Sequence, residues 1–255
     1  MEYNSSLLGH RMSFGHPMSK HYIINKMTKE LKIEEPKIIY EDKNFLAVYK
    51  PAGLIVHKTK KNEEYNLVDW LIKRYPEIKN VGDEPVLRPG IVHRLDKDTS
   101  GIMLVARNQD AFDYFKNLFQ KNLIKKTYLA LVWGKPKENK GIINKPIGLK
   151  SGTTKRSIYS SKMQKEAITE YKVLKSFKDK KGNLFSLLEV SPKTGRTHQI
   201  RVHLKSIGCP VCGDKLYGKK NDGFKRLMLH SLSIEFSINN SKIKIEAEIP
   251  KEFDF

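Results

Sequence analysis

The segment Arg88–Gly101 brings together residue types that could do chemistry. Its sequence is RPGIVHRLDKDTSG, so Asp96 lies two residues after Arg94 and shortly before a Thr-Ser-Gly corner. A carboxylate can act as a nucleophile or as a general base without a metal ion. A guanidinium presents a planar fork of donors that suits a phosphate, a carboxylate or a base edge. An exposed arginine–aspartate pair beside a turn usually contributes little, so this segment alone leaves its chemistry open.

The spacing of Arg94 and Asp96 favours a shared site. Residues two apart in an extended segment point to the same side, so both side chains would face the same ligand. His93 would point the other way, and we expect it to be a hydrogen-bonded structural residue. We expect Thr99 and Ser100 to stabilise the corner through hydrogen bonds to the backbone.

The charge of the chain indicates a polyanionic partner. Lysine and arginine number 48 against 28 aspartates and glutamates, which gives a net charge of +20. Such an excess is typical of nucleic-acid-binding proteins first and of proteins at anionic membrane surfaces second. Only 9 of the 48 cations are arginine, and an AT-rich genome could also produce this lysine bias.

The amino-acid composition is that of a globular protein without a membrane-spanning segment. Hydrophobic residues make up 39% and charged residues 30%, which is typical of a globular protein, and no apolar run reaches the roughly 18 residues of a membrane span. With only two cysteines, a reducing compartment is expected, and we therefore place the protein in the cytoplasm. A monomer without an obligate protein partner is the default expectation.

Hydrophobic periodicity predicts the elements that position these residues. The pattern predicts strands over residues 37–42, 44–50, 101–107, 126–133, 169–177, 184–190, 228–236 and 243–249, and helices over 66–75, 109–121 and 198–206. Asn66 is a plausible N-cap of the first helix. Residues 135–165 are rich in lysine, glycine and serine and are predicted to be mostly turns. Many strands with few helices indicate an α+β fold around a largely antiparallel sheet.

The chain divides into two parts by composition. Residues 1–36 show little periodicity, and we interpret them as an irregular N-terminal extension. Met18 within them opens Met-Ser-Lys and could be the true start. Residues 37–255 are predicted to form a single domain.

Several motifs resemble those of the RluA family of RNA pseudouridine synthases. His93–Gly101 resembles the family's HRLDxxTSG motif. The other matching segments, in the family's order, are Lys50–Gly53 (KPAG), Lys126–Gly134, Thr194–His203 (TGRTHQIRVH), Gly213–Gly218 (GDKLYG) and Pro250–Phe253. The resemblance covers residues 37–253. It implies a central sheet whose helices and loops frame a basic cleft, and an enzyme that isomerises uridine to pseudouridine in RNA without a cofactor or metal.

The resemblance implies a catalytic group of three residues. Asp96 would be the catalytic carboxylate, which either attacks the ribose or removes a proton from it, after the uridine has been flipped out of its helix. Tyr128 would stack on the flipped uracil, with ordinary strand packing as the alternative. Arg196 follows a Thr-Gly turn that could aim it at Asp96 and keep that carboxylate ionised, with phosphate binding as the alternative.

Four further residues are candidates for RNA binding. Arg94 could enter the gap left by the flipped base, as is thought for some family members, and Lys50 could reach a phosphate. His198 and Arg201 could line the cleft, although a structural role suits them equally well.

Gly208–Asp214 departs from the family's GHPIxGD pattern, because it contains Cys209 and Cys212. A Cys-x-x-Cys pair downstream of two histidines resembles a zinc site. On a helix, however, His198 and His203 would lie on divergent faces because they are five residues apart. We therefore predict two buried free thiols and no metal.

Three classes of function compete. The first is a pseudouridine synthase acting on structured RNA, with large-subunit ribosomal RNA as the leading substrate and transfer RNA second. The second is a non-catalytic RNA-binding assembly factor on the same fold, but simple binding does not need Asp96, Tyr128 and Arg196 together. The third is a metal-dependent nuclease or a zinc protein, for which the sequence offers no credible ligand set.

Overall fold

The computed structural model describes residues 33–58, 64–153 and 155–254. The expected extension over residues 1–36 lies outside the described residues, apart from its last four. Those four contact the domain: Ile33 packs against an apolar core cluster, and Glu35 accepts a 3.1 Å hydrogen bond from Trp70 Nε1. No helix in the described ranges is long and apolar enough to cross a membrane.

The elements follow the predicted order closely. The strands are β1 (Lys37–Glu41), β2 (Phe45–Lys50), β3 (Ser100–Ala106), β4 (Lys125–Trp133), β5 (Lys140–Asn144), β6 (Gly148–Leu149), β7 (Arg156–Ser157), β8 (Ile168–Lys178), β9 (Leu184–Pro192), β10 (Leu229–Ile238) and β11 (Ser241–Glu246). The helices are α1 (Leu67–Arg74), α2 (Gln109–Gln120) and α3 (Gln199–Ser206), with short 3-10 helices at Pro76–Asn80 and Lys251–Phe253.

A single mixed sheet forms the centre of the fold. Its strand order is β1-β2-β3-β10-β4-β9-β8-β5, with β11 paired to β10. Only the pairing of β3 with β10 is parallel, and the other pairings are antiparallel. The prediction of an α+β fold around a largely antiparallel sheet is confirmed.

Local sequence explains the helix starts. The Asn66 side chain accepts the backbone N–H of Asp69 at 3.1 Å, and that of Asn108 accepts the N–H of Ala111 at 2.9 Å. Both residues therefore satisfy donors that the first helical turn leaves free. On α2, Phe112 and Phe115 lie three residues apart, on one face of the helix, and both are buried in the core.

The region from 135 to 165 is more regular than predicted. β5 pairs with β8 at the edge of the main sheet, and β6 pairs with β7 in a separate two-stranded ribbon. Only Ile143 of β5 is buried, so the strand lacks the alternation that sequence analysis detects. The hydrogen bonds that define it come from the partner strand.

The parallel pairing of β3 and β10 anchors the corner that follows Asp96. Ser100 pairs with His230 and Gly101 with Ser231. Gly101 has φ +118, and a Cβ there would overlap the Ser231 backbone, so the close approach requires glycine. The corner therefore has a fixed position at the centre of the sheet.

Candidate active site

A cavity of about 570 Å³ opens beside this corner. Six of the seven predicted site residues line it, namely Arg94, Asp96, Tyr128, Arg196, His198 and Arg201. Among its lining residues Asp96 is the only carboxylate, whereas Arg88, Arg94, Lys126, Arg196 and Arg201 are cations. The cavity is therefore strongly cationic and suits a polyanion.

The Asp96 carboxylate is held from one side. Arg201 Nη1 donates to Asp96 Oδ2 at 3.0 Å, and His198 Nε2 lies 3.9 Å from the same oxygen. Oδ1 accepts no hydrogen bond from any residue that the structure describes. The side chain is 25% exposed, so one carboxylate oxygen is oriented by the protein while the other remains available to a ligand.

A buried ion pair positions Arg201. Its Nε and Nη2 donate to the two oxygens of Asp214 at 2.7 and 2.8 Å, which forms a two-bond fork. Asp214 also accepts the backbone N–H groups of Leu216 and Tyr217. Burial by itself would raise the pKa of Asp214, but the hydrogen bond and the charge of Arg201 outweigh it, so the pKa is lowered. Both groups are therefore ionised, and Arg201 has one nitrogen left for Asp96.

The predicted contact between Arg196 and Asp96 is wrong. Arg196 Nε donates to the backbone carbonyl of Glu166 at 2.9 Å, and Arg201 occupies the position beside the carboxylate. Both arginines belong to the segment Thr194–His203, and only one of them contacts the Asp96 carboxylate. Arg201 lies in the first turns of α3 and faces inward, whereas Arg196 lies in the exposed turn before the helix.

The predicted role of Lys50 as a phosphate contact is also wrong. Lys50 is 0% exposed, and its ammonium donates to the carbonyls of Pro51, Leu54 and Lys97 at 2.8 to 3.0 Å. All three protons of the ammonium are thus used inside the protein. The Lys97 carbonyl directly follows Asp96 and also accepts the Gly53 N–H, so Lys50 ties the segment of the catalytic candidate to the turn after β2.

The buried ammonium of Lys50 predicts a specific dependence of stability on pH. Burial lowers its pKa to about 7 in the folded protein, against an ordinary value of 10.5. Between these values the unfolded chain binds more protons, so the contribution of Lys50 to the free energy of unfolding rises as the pH increases from about 7 to 10.5. This contribution falls over the same range as the pH decreases, and it changes little below about pH 7. Relative to Lys50→Met, the wild type should gain about 2 kcal/mol between pH 7 and pH 9 in urea denaturation.

The matched control for this measurement is Lys97→Met, which removes a partly exposed ammonium that pairs with Glu64. Its difference from the wild type should stay nearly constant over the same pH range. A constant difference for Lys50→Met as well would contradict a buried ammonium that titrates near neutrality.

Tyr128 lies on β4 and reaches the cavity between Val190 of β9 and Ser231 of β10, its partners in the sheet. Burial raises the pKa of its hydroxyl to about 12, and the negative charge of Asp96 adds to the rise. The phenol therefore stays protonated and can donate a hydrogen bond. Lys126 precedes it by two residues on the same strand and also lines the cavity, and burial lowers the pKa of that ammonium to about 8.

The expected structural role of His93 is confirmed. Its Nε2 accepts the backbone N–H of Leu104 at 2.8 Å, and its ring stacks on Phe119. Burial, with the charge of Lys126, lowers the pKa of His93 to about 3, so the imidazole is neutral.

The two cysteines are buried free thiols, as predicted. His203 is hydrogen-bonded to Thr169 and to the Lys145 carbonyl. Within the described residues, no group of three or more histidines, cysteines, aspartates or glutamates could hold a metal ion.

Sequence analysis missed three contributors to the site. Asp214 and Tyr217 belong to the GDKLYG segment. Asp214 accepts from Arg201, and the Tyr217 hydroxyl is hydrogen-bonded to His198, but nothing in that segment indicates these contacts. For Lys126, the sequence offers one indication: it lies two residues before Tyr128 on a predicted strand, so both side chains would point to the same face.

Comparison with known proteins identifies the family of this chain. The model of the RNA pseudouridylate synthase family matches residues 44–206, a range that includes Asp96, Tyr128 and Arg201. The chain belongs to this family, as an RluA-type member.

Named relatives agree with this placement. The chain is 37% identical over 219 residues to the ribosomal large subunit pseudouridine synthase D of Borreliella burgdorferi, covering 85% of this chain and 66% of the relative. It is 40% identical over 229 residues to the ribosomal large subunit pseudouridine synthase C of Rickettsia felis, covering 87% of this chain and 70% of the relative. The chain thus spans about two thirds of the length of these curated relatives.

A solved structure shares the fold. Human RNA pseudouridylate synthase domain containing 1 superposes with a TM-score of 0.70 at 28% sequence identity, over 85% of this chain and 84% of the human one.

Proposed function

We propose that this chain is an RNA pseudouridine synthase that isomerises uridines in structured RNA, with large-subunit ribosomal RNA as its substrate. The observation that carries the proposal is Asp96 in a cationic cavity, where Arg201 holds Oδ2 and no described residue donates to Oδ1. The activities named for the relatives from Borreliella burgdorferi and Rickettsia felis support the substrate class. The catalytic domain in this proposal is residues 37–255, acting as a monomer in the cytoplasm.

The reaction explains why the cavity needs a single carboxylate. The bond between uracil N1 and ribose C1′ breaks, the base rotates, and C5 bonds to C1′ while the hydrogen of C5 leaves as a proton and N1 gains one. No group is imported, and base, sugar and phosphate remain in the RNA. In our proposal Asp96 Oδ1 either attacks the ribose or removes a proton from it, and the Arg201 guanidinium orients the carboxylate through its hydrogen bond to Oδ2.

The remaining side chains bind and hold the RNA. The uridine must leave its helix to reach Asp96, and Arg94 at the cavity rim enters the space it vacates. The Tyr128 ring stacks on the detached uracil. Arg196 is exposed and lines the cavity. In our proposal it contacts a phosphate of the RNA, which is the alternative role that sequence analysis offers for it. Lys126 adds positive charge inside the cavity.

A tritium-release assay tests the proposed function. RNA labelled at uracil C5, from a strain that lacks this gene, would be incubated with the purified protein, and a separate reaction would contain each isolated RNA class. Release from large-subunit ribosomal RNA supports the proposal. Release from transfer RNA alone would contradict the proposed substrate and identify transfer RNA as the substrate. Tight, salt-sensitive binding without release from any RNA would favour the non-catalytic assembly factor.

Replacing Tyr128 by phenylalanine should lower the rate without unfolding the protein. The variant keeps the ring for stacking and loses only the protonated hydroxyl. We expect the single-turnover rate to fall about tenfold, which corresponds to one lost hydrogen bond, while the thermal transition moves by only a few degrees, roughly the effect of 1 kcal/mol. Tyr40→Phe, which removes a hydroxyl bonded to Asp42 outside the cavity, is the matched control. A collapsed thermal transition would instead assign Tyr128 to the core.

A further inference from the structure

Tyr217 lies behind the proposed catalytic carboxylate and contacts both groups that face it. We propose that Tyr217 is a positioning residue: its hydroxyl selects the tautomer of His198 whose Nε2–H points at Asp96. This inference rests on the proposed function for its kinetic consequence. The tautomer itself can be measured without any activity.

Three contacts place Tyr217 at the centre of this arrangement. Its ring lies 5.1 Å from the Arg201 guanidinium carbon, and its backbone N–H donates to Asp214 Oδ1 at 3.0 Å. Its hydroxyl oxygen lies 2.8 Å from His198 Nδ1. Because Arg201 and His198 are the two groups at Asp96 Oδ2, one side chain supports both.

The direction of the hydrogen bond follows from the other partner of the hydroxyl. The backbone N–H of Arg156 in β7 donates to Tyr217 Oη at 2.8 Å, so this contact uses an acceptor site of the oxygen. The single hydroxyl proton then needs an acceptor, because Tyr217 is only 6% exposed and an unpaired buried donor is costly. Among the described residues, His198 Nδ1 is the acceptor within reach.

This assignment determines the protons of the imidazole. If Nδ1 accepts from Tyr217, a neutral His198 must carry its proton on Nε2. Burial lowers the pKa of His198, against the opposing charge of Asp96, and so favours the neutral ring. The Nε2–H then points its positive end toward Asp96 Oδ2, 3.9 Å away.

The consequence concerns which oxygen of Asp96 reacts. A guanidinium N–H and an imidazole N–H both approach Oδ2, so negative charge on that oxygen is stabilised and Oδ1 is left to the ribose. The 3.9 Å separation is longer than a hydrogen bond, so the imidazole acts here as an oriented dipole. With the opposite tautomer, the lone pair of Nε2 would face the carboxylate and repel it.

The backbone of His198 has an uncommon conformation at the start of α3. His198 has φ +59 and occupies the N-cap position of α3 in the left-handed region, which few non-glycine residues adopt. Among the described non-glycine residues with positive φ, His198 and Asn122 line the cavity.

The first test is the tautomer, measured by nitrogen-15 NMR on histidine-labelled protein. In the wild type we expect His198 to show a protonated Nε2 and an unprotonated Nδ1. In Tyr217→Phe the ring keeps its packing but Nδ1 loses its donor, so the two nitrogen shifts should move toward each other. His203, bonded through both nitrogens to Thr169 and Lys145, is the internal control and should not change.

The second test separates positioning from simple structure. We expect Tyr217→Phe to lower the single-turnover rate at saturating RNA about tenfold, as for one lost hydrogen bond, with the RNA dissociation constant within about twofold of the wild type. Tyr40→Phe should change neither. An Nδ1–H tautomer in the wild type, or unchanged nitrogen shifts in Tyr217→Phe, would overturn the inference.

The two proposals fail in different ways. If the wild-type protein releases no tritium from any RNA, the proposed function fails, although the NMR result still decides the tautomer. If the wild type isomerises uridine and Tyr217→Phe does so at the same rate, only the positioning role of Tyr217 fails.

Discussion

Asp96→Asn should form no measurable pseudouridine, a loss of at least about 10⁴-fold in rate, while binding RNA within about tenfold of the wild type. The amide keeps the size of the carboxylate and can still accept from Arg201, so the cavity should keep its shape. It cannot attack the ribose as a carboxylate does, and it cannot remove a proton. Affinity survives because phosphate contacts supply most of the binding free energy.

The measurement is tritium release and RNA titration on the same preparations. Asp83→Asn is the matched control, because it removes one negative charge from an exposed ion pair with Lys116 outside the cavity. That variant should isomerise uridine at the wild-type rate. Full activity in Asp96→Asn would rule out the proposed mechanism.

Arg201→Met should cost both stability and rate. The Arg201 side chain is 7% exposed and that of Asp214 is 0% exposed, so the substitution leaves the Asp214 carboxylate buried without its two-bond partner. Breaking such a buried pair typically lowers the free energy of unfolding by about 3–5 kcal/mol. Asp96 also loses the donor at Oδ2, and we expect a further fall of about 10²-fold in the single-turnover rate.

Two companion variants separate these effects in urea denaturation and single-turnover assays. Arg201→Lys keeps the charge without the planar fork and should recover only part of either loss. The double variant Arg201→Met with Asp214→Leu removes both buried charges, so it should recover much of the stability but none of the rate. A double variant that isomerises at the wild-type rate would show that Arg201 acts on folding alone.

Most of the secondary structure could be predicted from local sequence. The asparagine caps of α1 and α2 and the apolar stripe of α2 are encoded within a few residues of where they act. The turn between β10 and β11 is another example, because Asn239 and Asn240 both adopt positive φ, which asparagine tolerates. β5 was missed because it has a single buried residue and owes its form to pairing with β8.

The candidate site was only partly predictable. The family motifs identified Asp96, and the cavity brings Arg94, Tyr128 and His198 around it. The choice between Arg196 and Arg201 was decided by the start of α3, which turns one arginine inward and leaves the other in an exposed turn. Residue type and spacing do not encode which of two nearby cations faces a carboxylate more than a hundred residues away.

By itself the sequence determined the family, the α+β class, the catalytic candidate Asp96 and the cationic character of the chain, because each is carried by residue identity within a short segment or by a sum over the whole chain. Only the tertiary structure decided that Lys50 is buried against three carbonyls and that Arg201 connects Asp214 to Asp96. Those contacts join distant segments across the sheet. Whether a charged side chain lies in water or among buried acceptors is settled by packing, which balances the cost of removing the charge from water against partners that other parts of the chain supply.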